Sequence, residues 1–532
     1  MKGWKSRKKG FIVGILCAAV AFGLALPVLP AVNVSALEPT VSEAYQIGGY
    51  CGEAGFAVYQ DKDGYLYAAG ANSQGQLGRG YLGKETKTEP LEGKILNEKV
   101  TAFDTGKSGF VLAITESGKL YAWGNNANGQ LAKEIKTGEN SDTANCYPTP
   151  SEIALPNGSK AVAVDAGAKH SLLLTADGSV YAWGQSYYGQ LGLSLQTEKK
   201  SLNVTTPTLI PQEKFENEKI VQIATADDTS YALTASGSVY AWGESDKGML
   251  CDGKTSPQDS ALPDLMPTPA KTLLTNAKKI SAEGSTAMAL TQDGKVYVWG
   301  NLQSGQGGSP EMAKWSSAPV EIVKTYDVAG AETQSVITDI LCGGSTNFLL
   351  SADGGVYAFG AGGSGELGFN VSDAEKAGNP YVQMPKMIVP TKIVFYEPLS
   401  IEKITAQNNE VYVGKTPVDL TKPKAVKITK LLNSGGGRTF VADEAGNVWS
   451  WGNQTVGLAC SGNLAAADVP VLSTLFRDQD YDVTIKEKNY LVEPLVGLSV
   501  IYGFAAIFLI YTEVKRAKQQ RLALQEQEPP RA

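Results

Sequence analysis

The sequence predicts an all-β fold, a seven-bladed β-propeller, on three observations. An aromatic-glycine motif recurs seven times, a turn glycine precedes every copy, and the strands between them are apolar on both faces. Such a period governs the whole architecture, because each repeat buries its faces only against its neighbours. Gly is heavily used, at 58 residues, which suits many short strands and turns. The 43% hydrophobic content is enough for a large core.

The copies read YAAGANSQGQL from Tyr67, YAWGNNANGQL from Tyr121, YAWGQSYYGQL from Tyr181 and YAWGESDKGML from Tyr240. YVWGNLQSGQG follows from Tyr297, YAFGAGGSGEL from Tyr357 and WSWGNQTVGLA from Trp449. Their post-aromatic glycines, Gly70, Gly124, Gly184, Gly243, Gly300, Gly360 and Gly452, are 54, 60, 59, 57, 60 and 92 residues apart. Five intervals agree; the sixth carries an insertion. Seven units fit the roughly 4–8 blades of propellers. A solenoid stacks shorter repeats, of roughly 20–45 residues.

Within one repeat, three β-rich runs are visible: Ala161–Asp165, Ser171–Thr175 and Ser179–Trp183. Asp177-Gly178 joins the last two, and Asp-Gly favours a tight hairpin because the turn needs positive φ. All seven copies keep the glycine of that turn. The runs SLLL and SVYAW are apolar on both faces, as in strands stacked between two other sheets. Trp123, Trp183, Trp242 and Trp299 are therefore read as repeat core. The glycines after them, Gly124, Gly184, Gly243 and Gly300, are read as sites of close backbone approach.

The stretch DGSVYAWGQSYYGQLG resembles the repeat of the regulator of chromosome condensation (RCC-type) family. Seven ordered matches carry the resemblance from Ala44 to about Leu472, and the chain looks like a bacterial, exported member. The resemblance implies a seven-bladed ring in which the terminal segments complete one blade. The family's His at the start of the second strand survives only as His170. Phe56, Phe110, Thr229, Thr286, Thr346 and Arg438 replace it elsewhere. Nuclear members promote guanine-nucleotide exchange on a small GTPase, and secreted bacterial members bind and inhibit β-lactamases. Neither activity is transferred, and no small GTPase partner is expected of an exported domain.

The chain ends differ from its middle. Lys2, Lys5, Arg7, Lys8 and Lys9 precede an apolar run from Phe11 to Leu26 and a small-x-small exit at Val34-Ser35-Ala36. Residues 1–36 read as a signal peptide. Residues 37–480 form the ectodomain, with an insertion at about 395–424, and 481–494 a stalk. The uncharged stretch 495–512 reads as a transmembrane helix. Lys515, Arg516, Lys518 and Arg521 follow it, which places the tail 513–532 in the cytoplasm. The expected location is thus the cell membrane, single-pass, with the propeller outside. Setting aside the five basic residues of the signal, and the five basic and four acidic residues from Leu491 onward, leaves 37 basic and 50 acidic residues, a net −13. Such a balance argues against a nucleic-acid partner.

Little in the sequence points to catalysis. His170 is the only histidine and stands at a repeat position. Asp61 and Asp63 belong to a hairpin turn, and Asp478, Asp480 and Asp482 lack the framework of a calcium loop. The glycine-rich runs at 360–365 and 433–438 are not followed by G-K-[ST], so they are not phosphate loops. Cys51, Cys146, Cys251, Cys342 and Cys460 have no metal-ligand spacing. No cofactor, metal or enzymatic activity is expected. The expected function is a membrane-anchored scaffold for a protein partner at the cell surface. A cell-wall or glycan binder, with the tryptophans stacking on sugars, is the alternative, and an enzyme at the propeller axis is the third reading. The insertion is the expected contact, through Phe395, Tyr396, Tyr412 and Val413, because long insertions between packed elements tend to be functional.

Overall fold

In the computed structural model, the described residues are 55–395 and 425–452, with brief interruptions, and short strands at 44–48, 404–407, 410–413, 416–417, 467–472 and 484–485. The chain divides into two compact units. The larger comprises 37–399 and 420–479; the other comprises 1–36, 400–419 and 480–532.

The larger unit is an all-β propeller. Repeat three shows the plan. Strands Ala161–Ala166, His170–Thr175, Val180–Gln185 and Asn203–Ile210 pair in chain order, all antiparallel. The second strand, HSLLLT, is buried along its whole length, as expected of a sheet covered on both faces. Repeats two, four and five copy this plan. Repeat six adds short strands at Thr325–Tyr326, Glu332–Thr333 and Val382–Gln383 to its outer edge. These five blades are described through most of their side chains. The expected seven are therefore narrowed to five here, because strands Ala44–Gly48 and Ala467–Leu472, at the edges of the flanking sheets, lie largely outside the described side chains.

Hydrophobic clusters sit between sheets rather than at one centre. Phe103, Val111 and Trp123 of repeat two pack with Phe56, Val58, Leu66 and Leu77 of repeat one. Leu172, Leu174 and Leu191 of repeat three pack with Ile220, Ile223, Tyr240 and Trp242 of repeat four. Phe440 and Val448 of repeat seven share a cluster with Ala57, Tyr59, Tyr67 and Ala69 of repeat one.

In the smaller unit, Ile404–Gln407 pairs antiparallel with Glu410–Val413, which pairs with Thr416–Pro417. Thr484–Ile485 lies parallel to Thr405-Ala406 on the other edge. Part of the expected insertion and part of the expected stalk thus share one small sheet. No helix among the described residues is long and apolar enough to cross a membrane. The segments read as signal peptide, transmembrane helix and cytoplasmic tail lie outside the described residues.

Candidate functional site at the propeller axis

The seams between blades explain the repeated motif. Trp123 donates its indole N–H to the Gln76 carbonyl of the preceding repeat at 3.0 Å. Trp183 does the same to Gln130, Trp242 to Gln190, Trp299 to Met249 and Trp451 to Glu366. The Trp of one blade therefore completes the G-Q-L turn of the blade before it. A second donor doubles the bond at three seams: the Ser171 hydroxyl to Gln130, the Ser230 hydroxyl to Gln190 and the Tyr231 hydroxyl to Met249. Repeat six has Phe359 in place of the Trp, and there the Asn347 amide donates to the Gln306 carbonyl instead. Gly124, with φ +99°, lies against the Gly109 carbonyl, where a Cβ would come to 2.3 Å. Trp123, Trp183, Trp242 and Trp299 are at most 1% exposed, which removes them as a sugar-stacking surface.

His170 is sealed in one of these seams. The Ser230 hydroxyl is committed to Gln190, so it accepts the His170 Nε2–H at 2.9 Å, and Nδ1 faces the Gly167 backbone without a bond. Burial pushes its pKa down to about 3, so the ring is neutral. Asp61 accepts the backbone N–H groups of Asp63 and Tyr65, as the hairpin reading required. Among the described residues no disulfide forms: the Cys146 thiol donates to the Gln74 side-chain oxygen at 3.1 Å, the Cys342 thiol donates to the Ser281 carbonyl at 3.2 Å, and Cys251 is buried.

The polar convergence that sequence reasoning missed lies where the first strands of the repeats meet. Asp104, on Val100–Gly106, accepts the Ala166 N–H at 2.7 Å. Asp165, one repeat on, accepts the Thr225 hydroxyl at 2.5 Å. Thr105 occupies the position of Thr225, but the place that Asp165 holds in repeat three is Gly48 in repeat one, and the buried Thr105 hydroxyl has no partner among the described residues. At the same end, the Lys107 ammonium pairs with Asp227 and, at 3.1 Å, with Glu283. Water reaches about a third of each of these three side chains, so the triad sits in a mouth, not in a core.

The electrostatics of this mouth are those of too many carboxylates in too little water. Burial pushes the Asp104 carboxyl up to about 7, against two backbone N–H bonds that favour its charge. Burial and the Asp104 charge raise Asp165 well above the usual range. Glu283 is raised by burial in spite of Lys107. Burial works against the Lys107 charge, but Glu283 and Asp227 outweigh it and hold the ammonium above its ordinary range. Beside them, burial, Asp228 and Asp246 bring Glu244 up to about 7. Among the described residues, no group of three or more His, Cys, Asp or Glu side chains is arranged to hold a metal ion. The sequence signal was slight: an Asp stands at this position in repeats two and three, but Ala224, Ser281 and Leu341 stand there in the next three.

Of the expected contact residues, Phe395 is placed differently. It is 5% exposed and meets Trp449 and Trp451 edge-on, with ring centroids 5.3 and 6.4 Å away. Phe215, Leu96 and Leu274 are buried in the same way, each in the link between one blade's last strand and the next blade's first. Phe395 is the plug of the seam between repeats six and seven, not an exposed anchor. Beside it a cavity of about 430 Å³ is lined by Lys392, Val394, Val426, Lys427 and Glu444 among others. Tyr412 and Val413 lie on the strand Glu410–Val413. Tyr396 and the side chains of Tyr412 and Val413 lie outside the described residues.

Comparison with known proteins agrees with this architecture. The Arabidopsis thaliana ultraviolet-B receptor UVR8 is 29% identical over 325 residues, 60% of this chain and 66% of its own length. The probable E3 ubiquitin-protein ligase HERC6 of Homo sapiens is 31% identical over 304 residues, 56% of this chain but 27% of its own length. The chain thus spans under two thirds of the one and about a quarter of the other. Among solved structures, Prp20p of Saccharomyces cerevisiae, described with its binding properties to Gsp1p and histones, matches with a TM-score of 0.59 at 22% identity. That match covers 84% of this chain and 90% of Prp20p. Human WBSCR16 matches with a TM-score of 0.54 at 20% identity, over 74% of this chain and 86% of its own. The family model described as the RCC1-like domain matches residues 36–397, and the chain belongs to that family.

Proposed function

We propose that the protein is a membrane-anchored, extracellular scaffold whose RCC1-like propeller binds a protein partner. The observation that carries this reading is the junction of repeats six and seven. There, beyond a seam sealed by Phe395, the strands Ile404–Gln407, Glu410–Val413 and Thr416–Pro417 pair in a small sheet with Thr484–Ile485 instead of in a blade. A recognition element presented by a rigid scaffold has this form. The basic, apolar N-terminus and the uncharged stretch 495–512 with its basic flank support export and anchoring. The expectation that excludes a small GTPase rests on that topology and shares its fate. We extend the ring to seven blades with repeats one and seven, supported by the cluster that Phe440 and Val448 share with Tyr59 and Tyr67. The non-enzymatic reading is supported by the sealing of His170.

The test replaces 396–424 by a short Gly-Ser linker and keeps Phe395 and Ala425. With the plug retained, the melting temperature should hold while surface crosslinking to the wild-type partner is lost. Retention of both stability and partner would refute the role of the insertion. Protease shaving of intact cells tests the location: complete protection before lysis would rule out an external propeller.

A further inference from the structure

We propose that the axial mouth is a proton-sensitive latch, in which Lys107 of repeat two straps Asp227 of repeat four and Glu283 of repeat five and sets how tightly the loops of this face are drawn together. The latch goes beyond the interaction reading and needs no partner.

The strap reaches past one whole repeat, since among the described residues the Lys107 ammonium pairs with Asp227 and Glu283 and with nothing on repeat three. The backbone beneath it already strings the same loops together. The Ser108 N–H donates to the Ala168 carbonyl at 3.1 Å, and the Ala168 N–H to the Asp227 carbonyl at 2.9 Å. Tension on Lys107 is therefore shared by three loops. The charges that face the strap are unbalanced. Glu283 faces Lys107 and Asp227, and its field also reaches Asp104 and Asp165. Asp228 faces Asp227, Lys169, Lys107 and the Gln190 amide, and Glu244 faces Asp228, Asp246, Lys247 and Asp227.

The direction follows from linkage. Asp104 holds its proton in the fold up to about pH 7, whereas the unfolded chain releases it near the usual carboxylate value of 3.8. The resulting stability is full below that value and is lost as the pH rises through about 7. Asp165 is raised in the same sense. The mouth is tight in mild acid; as Asp104 ionises near neutrality it repels the carboxylates around it and slackens the loops against the strap.

Amide hydrogen exchange of the full chain, corrected for intrinsic rate, reads this directly. Between about pH 5.5 and about pH 8, protection at Ser108 and Ala168 should fall by about tenfold or more, the factor that one unit of pKa shift carries. Leu172, in the middle of a blade, should not change. Asp104→Asn keeps an acceptor for the Ala166 N–H but cannot ionise, so it should shrink the pH response. Lys107→Met removes the strap and should lower protection at both pH values. Equal wild-type protection at the two pH values, an undiminished response in Asp104→Asn, or wild-type protection in Lys107→Met would each overturn the latch. If Asp104→Asn does not fold, the wild-type pair and Lys107→Met still decide. No partner is present in these measurements, so their failure is separate from that of the scaffold reading.

Discussion

Replacing the seam tryptophans by phenylalanine should not cost the same everywhere, although all are equally buried. Trp123→Phe and Trp183→Phe lose the same ring volume and the same indole N–H, so the packing loss cancels in the comparison. The two carbonyls left behind differ. Gln76 has no other donor among the described residues, and Val111 stands opposite Trp123. Gln130 keeps the Ser171 hydroxyl at 2.9 Å. Stranding a buried carbonyl costs about 1–3 kcal/mol, whereas losing one of two bonds costs about 0.5–1.5 kcal/mol. Trp123→Phe should therefore be the more destabilised by about 1 kcal/mol. Equilibrium urea unfolding, followed by the fluorescence of the remaining tryptophans, measures the difference. The double variant Trp183→Phe/Ser171→Ala should bring repeat three to the Trp123→Phe level. A cost for Trp183→Phe equal to or above that for Trp123→Phe would refute the two-donor account of the seams.

Other outcomes follow from the same geometry. Gly189→Ala should destabilise more than Gly138→Ala. Both have positive φ, at +81° and +107°, but a Cβ on Gly189 would sit 2.6 Å from Pro267 Cα, and one on Gly138 meets nothing within 4 Å. Gly138→Ala should carry only the backbone cost of about 1–2 kcal/mol, read by the same urea titration. Glu244 is raised from 4.5 to about 7, so its stabilising protonation is complete below 4.5 and lost as the pH rises through 7. Glu244→Gln should flatten that part of the profile of unfolding midpoint against pH. His170 is depressed from 6.5 to about 3, so its contribution is complete above 6.5 and is lost as the pH falls toward 3. His170→Gln should remove that acid sensitivity, and a folded His170→Gln that lost a measured catalytic activity would overturn the non-enzymatic reading.

The seams were legible in the sequence because the residues that build them recur. Seven spaced copies, five of them with a Trp-Gly pair, make that pair and a turn glycine stand out from any local noise. Phe395 was misread for a spacing reason. Phe215 stands four residues before Lys219, at the start of the next repeat, whereas the insertion moves Phe395 away from Lys427, which holds the same place. Once separated from the strand it precedes, a plug looks like an aromatic in an exposed loop. The axial mouth was illegible because its members share no register. Asp104 stands six residues before Phe110, Asp165 stands five before His170, and Glu283 occupies another position on its strand. Substitution also hid a seam: Phe359 breaks the Trp pattern, and only the structure shows that Asn347 replaces the missing donor.

The plug residues give the molecule a property useful to a protein engineer. At the seam between repeats six and seven, the chain seals the core with Phe395 first and only then departs. The seam after Phe215 has the same order: beyond the plug, the backbone of Glu216 to Glu218 bonds to the turn Gln212–Phe215, and only the carboxylates of Glu216 and Glu218 reach further, to Lys271 and Ser236. A guest peptide spliced behind Phe215 would leave from an already sealed seam, held at both ends by rigid sheet. The propeller is thus a display frame with a second, unused port, and a natural insertion in one seam is the template for an artificial one in another.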